Sequence, residues 1–459
     1  LDKAGLQIFH EALAACSVEK AFHSRLSVSM RSGAKILQLR GDSEGEGSEI
    51  DLTQVKRVIV IAMGKVAANM LHVFVKSPLA TGCEVTGILV APSLPADLPE
   101  GITFYAGGHP LPNAQSWMAA EAARQLLLSA ASGERVSETF VFFLVSGGAS
   151  AMMELPLDPA ISLEDTIRFY RILVHSGASI AEINCVRKHF SAIKGGRLGL
   201  AAGSLPNLTI AVSDVPQGQL DTLASGPTLP DRSTVQECRD ILAQYGLLDQ
   251  FPEPVRAFFA SPLLIETPKP GIIPGRIACL LSSNDLAEAA RRSAESLGFT
   301  CFVDNTCDDW DYRDAADYLL ERLRKLGEQH DRVCLISVGE VTVRLLEEPE
   351  STGTPDRKGS QPGQGGRNTH FALYSATQLK ASEEISVLSA GSDGVDGNSP
   401  AAGAIVDGQT LRGRIDEAQS ALKSFDSFHM LQELGATVLT GPTGNNLRDI
   451  RILLSERID

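Results

Sequence analysis

A chain of 459 residues is longer than one ordinary hydrophobic core serves and implies two or three domains. Its 43% apolar and 21% charged residues suit a folded, water-soluble protein, and 41 basic against 56 acidic residues leave a formal charge of −15, which argues against nucleic acid or an anionic membrane as partner. The eight cysteines form no C-x-x-C pair and no apolar run reaches the roughly 20 residues of a membrane span, so neither disulfides nor zinc are expected, and a reducing, cytoplasmic setting is.

In chain order, residues 4–26 carry apolar side chains at helical spacing (Leu6, Phe9, Leu13, Phe22, Leu26), and an acidic loop follows. "VIVIAM" (58–63) is a strand buried on both faces that runs into Gly64-Lys65 and a helix. A cation at the positive end of a helix is unfavourable unless an anion joins it, so Lys65 points to a bound anion rather than to a solvated helix start. "VTGILVAP" is a third strand, and "AGGHPLPNAQS" is a constrained turn with His109, capped by Asn113 or Ser116 ahead of a helix. The central stretch is "FVFFLVSGGASAM" (140–152), an uninterrupted apolar strand that stops at Ser146, Gly147 and Gly148, with Ser150 just beyond. Strand ends of this kind are where open α/β sheets place their ligands.

Residues 163–203 turn helical, and Arg187, Lys188, His189, Lys194 and Arg197 reverse the local charge of an acidic chain. With Gly195 and Gly196 breaking the helix beside them, these cations suit an anionic ligand, the alternative being a solvated face. "LTIAVSDV" is a further strand with Asp214 at its carboxyl end, a candidate magnesium ligand or base and otherwise a turn cap. "ETPKPGIIPG" marks a domain boundary, giving domains at 1–267 and 268–459, the second opening with the strand "RIACLLSS". Beyond Glu340, a Gly- and Pro-rich loop over 349–367 is either a cover that folds over a ligand, with Arg367 as clamp, or a disordered surface loop ending in a solvated arginine, and Gly365, Gly366, Arg367 and Asn368 lead from it into a helix. Asp393, Asp396 and Asp407 lie among glycines, as turn formers or as cation ligands, Asp393 being the second metal candidate. The fold class is therefore α/β: a Rossmann-like, doubly wound parallel sheet plus a second, smaller α/β domain.

Neither a P-loop nor a G-x-G-x-x-G follows any of these strands, which leaves a phosphate-handling site built from Gly/Ser turns, Lys65 and clustered cations. "MGKVAANM", "GGHPLPNAQS", "LVSGGASAMMELP", "EINCVRKHFSAIKGGRL", "SDVPQGQLDTLASGPTLPD", "GGRNTHFAL", "SAGSDGVDGNSPAAGAIVDG" and "TGPTGNNLRDI" resemble, in order, the successive motifs of the glycerate 2-kinase family, whose second domain is named MOFRL. The resemblance implies a kinase that uses ATP and a divalent metal, usually Mg²⁺, to phosphorylate the 2-hydroxyl of D-glycerate at a cleft between the domains. It further implies that Lys65 and Arg367 are catalytic. No nucleic-acid or membrane partner is expected; a homo-oligomer is compatible with the sequence.

Two departures stand out. Ala149 replaces a glycine more usual in the family, and "VGEVT" places Val338 and Val341 where the family more often has glycine and threonine. A hydroxypyruvate reductase and a non-catalytic sugar-acid sensor are the competing readings. The missing dinucleotide fingerprint opposes the first, and retention of both Lys65 and Arg367 opposes the second.

Overall fold

In a computed structural model, residues 1–40, 48–216, 218–273, 276–343 and 363–457 are described. They form two compact units: Val18–Leu280, and Leu1–Ser17 with Leu281–Asp459.

The first unit is built on a six-stranded sheet in the order Ile102–Ala106, Glu84–Ala91, Arg57–Met63, Thr139–Ser146, Asn207–Val212, Ile277–Leu281. The first five strands are parallel, and Met63 lies level with both Val90 and Val145. Every residue of Thr139–Ser146 is buried, because both faces are covered. Phe142 meets Phe140 and, at 4.9 Å, Phe74 of the helix Ala67–Lys76. Val141, Phe143 and Val145 pack instead with Ala119, Ala123 and Leu127 of the helix Ala114–Ala131. Such two-sided burial explains the apolar runs without alternation. The helices Leu163–Val174, Ile180–Phe190, Val235–Gln244 and Glu253–Ala260 close over their own aromatic core, in which Phe169 and Phe190 stack at 4.2 Å. An antiparallel meander, Leu26–Arg31, Ala34–Leu39 and Glu49–Asp51, completes the unit.

The second unit carries a mixed sheet in the order Thr300–Val303, Arg332–Val338, Asp449–Glu456, Ile385–Gly391, Gly403–Asp407, Thr437–Val438. Only its first pair is parallel. Leu319, Leu323, Phe371, Leu335 and Leu453 share its core.

Two expectations are corrected. The strand at 277–281 opens nothing new: it is the last strand of the first sheet, so the division falls between Leu280 and Leu281 and not at the Pro-rich stretch. The helix Asp2–Ala15 belongs to the second unit, where Ile8, Phe9 and Ala12 are fully buried and Ser293 and Ser386 donate hydrogen bonds to Glu11 and Asp2. Local pattern fixes which face of a helix is apolar, but not which sheet receives it. Among the described residues no helix is long and apolar enough to cross a membrane, and all eight cysteines are thiols.

The first unit also buries an ion pair beside its helical layer. Lys194 Nζ lies 2.6 Å from Glu154 Oε2, both with at most 1% of the side chain exposed, and Tyr170 Oη donates to the same carboxylate. Removing one member of such a pair strands the other charge, so Lys194→Met should cost about 3 to 5 kcal/mol in urea unfolding. The double variant Lys194→Met/Glu154→Gln should recover part of that loss; losses that simply add across the two single variants would show the pair to be uncoupled.

Candidate active site

Strand order reverses between Arg57–Met63 and Thr139–Ser146: the chain winds outward one way from the former and the other way from the latter. The turns at these two carboxyl ends are bonded to each other. Lys65 N–H donates to the Gly147 carbonyl at 2.9 Å, and Val66 N–H donates to Ser146 Oγ at 3.1 Å. Gly64 has φ +117°, and a Cβ there would fall 2.4 Å from both Ser146 O and Oγ. Only glycine fits. Ser146 therefore fastens the Lys65 turn, while the Lys65 side chain is exposed at the start of a helix that no side chain caps among the described residues. Gly148, at φ +83°, lets the second turn pass close to the Lys65 stem, since a Cβ would sit 3.1 Å from its Cγ. The His109 imidazole is held below its ordinary pKa, first by loss of surrounding water and then by the Lys65 ammonium, which places the two side chains in one electrostatic neighbourhood. Ala149 is 1% exposed and packs in the cluster under the sheet, so its extra methyl is absorbed by the core.

The cations of 187–197 have separate fates. Lys194 is committed to Glu154. Lys188 Nζ pairs at 3.0 Å with buried Asp231; burial alone would raise that carboxyl, but Lys188 and the Ser233 and Thr267 hydroxyls hold it below its ordinary range. Arg197 donates to the carbonyls of Lys188, Ser191, Ile265 and Glu266. Gly195 and Gly196 give their N–H groups to the Ser225 and Gly226 carbonyls. The expectation that this whole stretch meets an anion is thus corrected for Lys194, Gly195, Gly196 and Arg197, whose donors are occupied within the fold. Arg187 differs. It is 9% exposed, its guanidinium carbon lies 4.7 Å from the centroid of the Tyr170 ring, and no carboxylate pairs with it among the described residues. Ser150 Oγ, Ser225 Oγ and Asn184 Oδ1 form a hydrogen-bonded chain with two links of 2.9 Å, and Tyr170 Oη also donates to the Ser150 carbonyl.

In the second unit, Arg367 opens the helix Arg367–Gln378, whose first turn is fixed by Asp396: its carboxylate accepts from Asn368 N, Thr369 N and Thr369 Oγ1 at 2.8 to 3.0 Å. Gly366 abuts that carboxylate, and Gly365 exchanges hydrogen bonds with Asn398. Arg367 Nη1 lies 2.6 Å from Glu340, its Nε lies 3.2 Å from Asp449 Oδ2, and its Nη2 donates to Asp449 Oδ1 at 3.5 Å. Burial pushes the Asp449 carboxyl up to about 7, with Arg367 opposing and Glu340 adding to the rise. Arg448 grips Asp308, which in turn accepts the Glu340 N–H at 3.0 Å. Val338 and Val341 are core residues, 3% and 1% exposed. Asp393 accepts the Val395 N–H, and Asp407 accepts from Thr410 and Gln409, both turn-forming bonds. Among the described residues no three His, Cys, Asp or Glu side chains converge as a metal cage, and neither Asp214 nor Asp393 belongs to one. Most of the 349–367 loop, residues 349–362, lies outside the described residues.

Glu154, Tyr170 and Asp449 were missed in the sequence. The available signal was a charged residue within an apolar run, in "MMELP" and "LRDIRILL".

Residues 4–260 match a family model described as a domain of unknown function, DUF4147, and residues 333–449 match the MOFRL family. A protein of Pyrococcus horikoshii named glycerate 2-kinase is 32% identical over 98% of this chain and 96% of its own. The chain belongs to the glycerate 2-kinase family. A protein of Agrobacterium vitis named putative hydroxypyruvate reductase is 33% identical over 87% of each chain. The crystal structure of a glycerate kinase from Thermotoga maritima superposes with a TM-score of 0.78 at 29% identity, covering 99% of each chain.

Gly64→Ala adds both a close contact and an unfavourable φ, so unfolding free energy should fall by about 3 kcal/mol; an unchanged urea midpoint would show that the two turns yield. Because the folded state holds the Asp449 proton more tightly than an unfolded chain, whose aspartates ionise near 3.9, this group withdraws stability progressively as pH rises from about 4 to about 7. Asp449→Asn should therefore gain thermal stability relative to wild type between pH 5 and pH 8. A gain that shrinks over that interval would contradict the raised carboxyl.

Proposed function

We propose that this chain is an ATP-dependent glycerate 2-kinase, transferring the γ-phosphoryl group of ATP to the 2-hydroxyl of D-glycerate to give 2-phospho-D-glycerate. The observation that carries this reading is Lys65, presented at the reversal point of the sheet by a glycine turn locked to Ser146 and Gly147, in a chain related end to end to a named glycerate 2-kinase. An exposed ammonium beside an uncapped helix start suits phosphate oxygens, and phosphoryl transfer draws most of its catalysis from such fixed positive charge. Gly64, Gly147 and Gly148 let the backbone approach the nucleotide. Arg367, with Gly365, Gly366 and Asn368 shaping its turn, is the second catalytic cation, and Glu340 with Asp449 aims its guanidinium.

Mg²⁺ usually arrives on the nucleotide and needs only one or two protein carboxylates, so the absence of a three-residue cage among the described residues is compatible with it. Asp214, half-buried at the carboxyl end of the strand next to Ser146, is the group we assign to hold it. The metal would screen charge on the phosphates. Eight thiols and no pairing fit a cytoplasmic enzyme.

The test is ATP, D-glycerate and magnesium coupled to enolase, which accepts 2-phosphoglycerate directly. Wild type should turn over, and Lys65→Ala should lose about 100-fold or more in kcat with its melting temperature unchanged. A folded wild type that is silent here but oxidises NADH with hydroxypyruvate would replace the kinase by the reductase.

A further inference from the structure

Four cations lie buried within eleven residues of the first unit, and three of them have a partner. Lys188 has Asp231, Lys194 has Glu154, and Arg197 has four carbonyl oxygens. Arg187 has none: its Nε is buried without an acceptor, and no carboxylate reaches its guanidinium among the described residues. A guanidinium nine-tenths sunk into the fold, with a ring face beside it and no counter-ion, suits an anion that arrives from outside.

The surroundings hold it in place. Tyr170 offers its ring face, 4.7 Å from the guanidinium carbon, and is itself fixed by hydrogen bonds to Glu154 and the Ser150 carbonyl. Glu154 shares Tyr170 with this group, and its carboxylate is taken by Lys194 and Tyr170. One turn back along the helix, Asn184 joins Ser225 and Ser150 in a chain of neutral polar groups. Arg187, Lys194 and Glu154 together sum to a single positive charge. That matches a monoanion with hydroxyl groups better than a triphosphate, for which Lys65 and the uncapped helix are the better match.

We infer that Arg187 binds the carboxylate of the acid substrate, with Tyr170, Glu154 and Lys194 as its positioning residues and the Ser150–Ser225–Asn184 chain facing the substrate's hydroxyls. This rests on the kinase reading for the identity of the acid, D-glycerate. Arg187, and not Arg367, then confers the requirement for an acid. Arg367 already faces two carboxylates, Glu340 and Asp449.

The experiment compares wild type, Arg187→Gln and Arg187→Lys. Steady-state KM is measured for D-glycerate and for ATP, and titration calorimetry compares D-glycerate with its neutral isostere glyceramide. Arg187→Gln should raise KM for glycerate roughly 10- to 100-fold, the loss of a charge-assisted pair, with KM for ATP unchanged. It should also abolish the preference for glycerate over glyceramide, while Arg187→Lys recovers part of it. Because an uncompensated buried charge is removed, the glutamine variant should melt at or above the wild-type temperature, whereas a residue serving structure alone would lower it. A rise in KM for ATP would reassign the arginine to phosphate, and unchanged constants or a lowered melting temperature with intact glycerate selectivity would overturn the inference. A wild type that binds another 2-hydroxy acid in place of glycerate sinks the kinase reading alone if Arg187→Gln loses that acid. A wild type that binds none sinks both.

Discussion

The first unit depends on one junction: the N–H groups of Lys65 and Val66 are received by Gly147 and Ser146, across the two strands between which the sheet reverses its winding. In a parallel sheet all strand ends of one kind lie on one edge, and at the reversal point the connecting helices diverge and leave that edge open. An opening alone does not position a cation. Here the two turns that border it are tied by backbone bonds, at a separation so small that Gly64 has no room for a side chain. The Lys65 ammonium thus sits on a flexible stem, but the stem rises from a base whose geometry is set by the sheet itself.

Charge is handled differently in the two units. The first unit neutralises its buried cations one at a time, each against a carboxylate or a set of carbonyls, and leaves Arg187 out of that scheme. The second unit collects charges into a mesh in which Arg367, Glu340, Asp449, Asp308 and Arg448 are joined in succession. A mesh aims a guanidinium through several contacts at once. At Asp449, burial first and then Glu340 outweigh the pull of Arg367 and raise the carboxyl. The same chain therefore contains one cation whose charge is fully available and one whose charge is shared.

The strands of the first sheet were readable in the sequence because burial on both faces demands unbroken apolar runs, as at Val58–Met63 and Phe140–Val145. Strand partners were not. Ile277–Leu281 has the composition of any buried strand, and nothing local says that it completes the earlier sheet. The helix Asp2–Ala15 shows its apolar stripe plainly, yet the surface that covers it is made by residues about three hundred positions later. The candidate site was readable to the same depth. Residue type singled out Lys65, Arg187 and Arg367. What separated Arg187 from Lys194 was Glu154, forty residues away in sequence and invisible as a partner until the fold brings it there. Asp396 illustrates another limit: in an Asp-Gly-rich loop it reads as a turn former or a cation ligand, and in the structure its carboxylate holds the first turn of a helix.

The pairing of Asp449–Glu456 carries a consequence for biosynthesis. This late strand lies between Arg332–Val338 and Ile385–Gly391 and bonds to both, so the second sheet has no continuous centre until synthesis has passed residue 456. The first unit closes with Leu280 and can be complete while ribosomes are still translating the remainder. The helix Asp2–Ala15, although made before the first unit, must wait until the second sheet is complete for the surface that buries Ile8 and Phe9. During that interval its apolar stripe is open to chaperones.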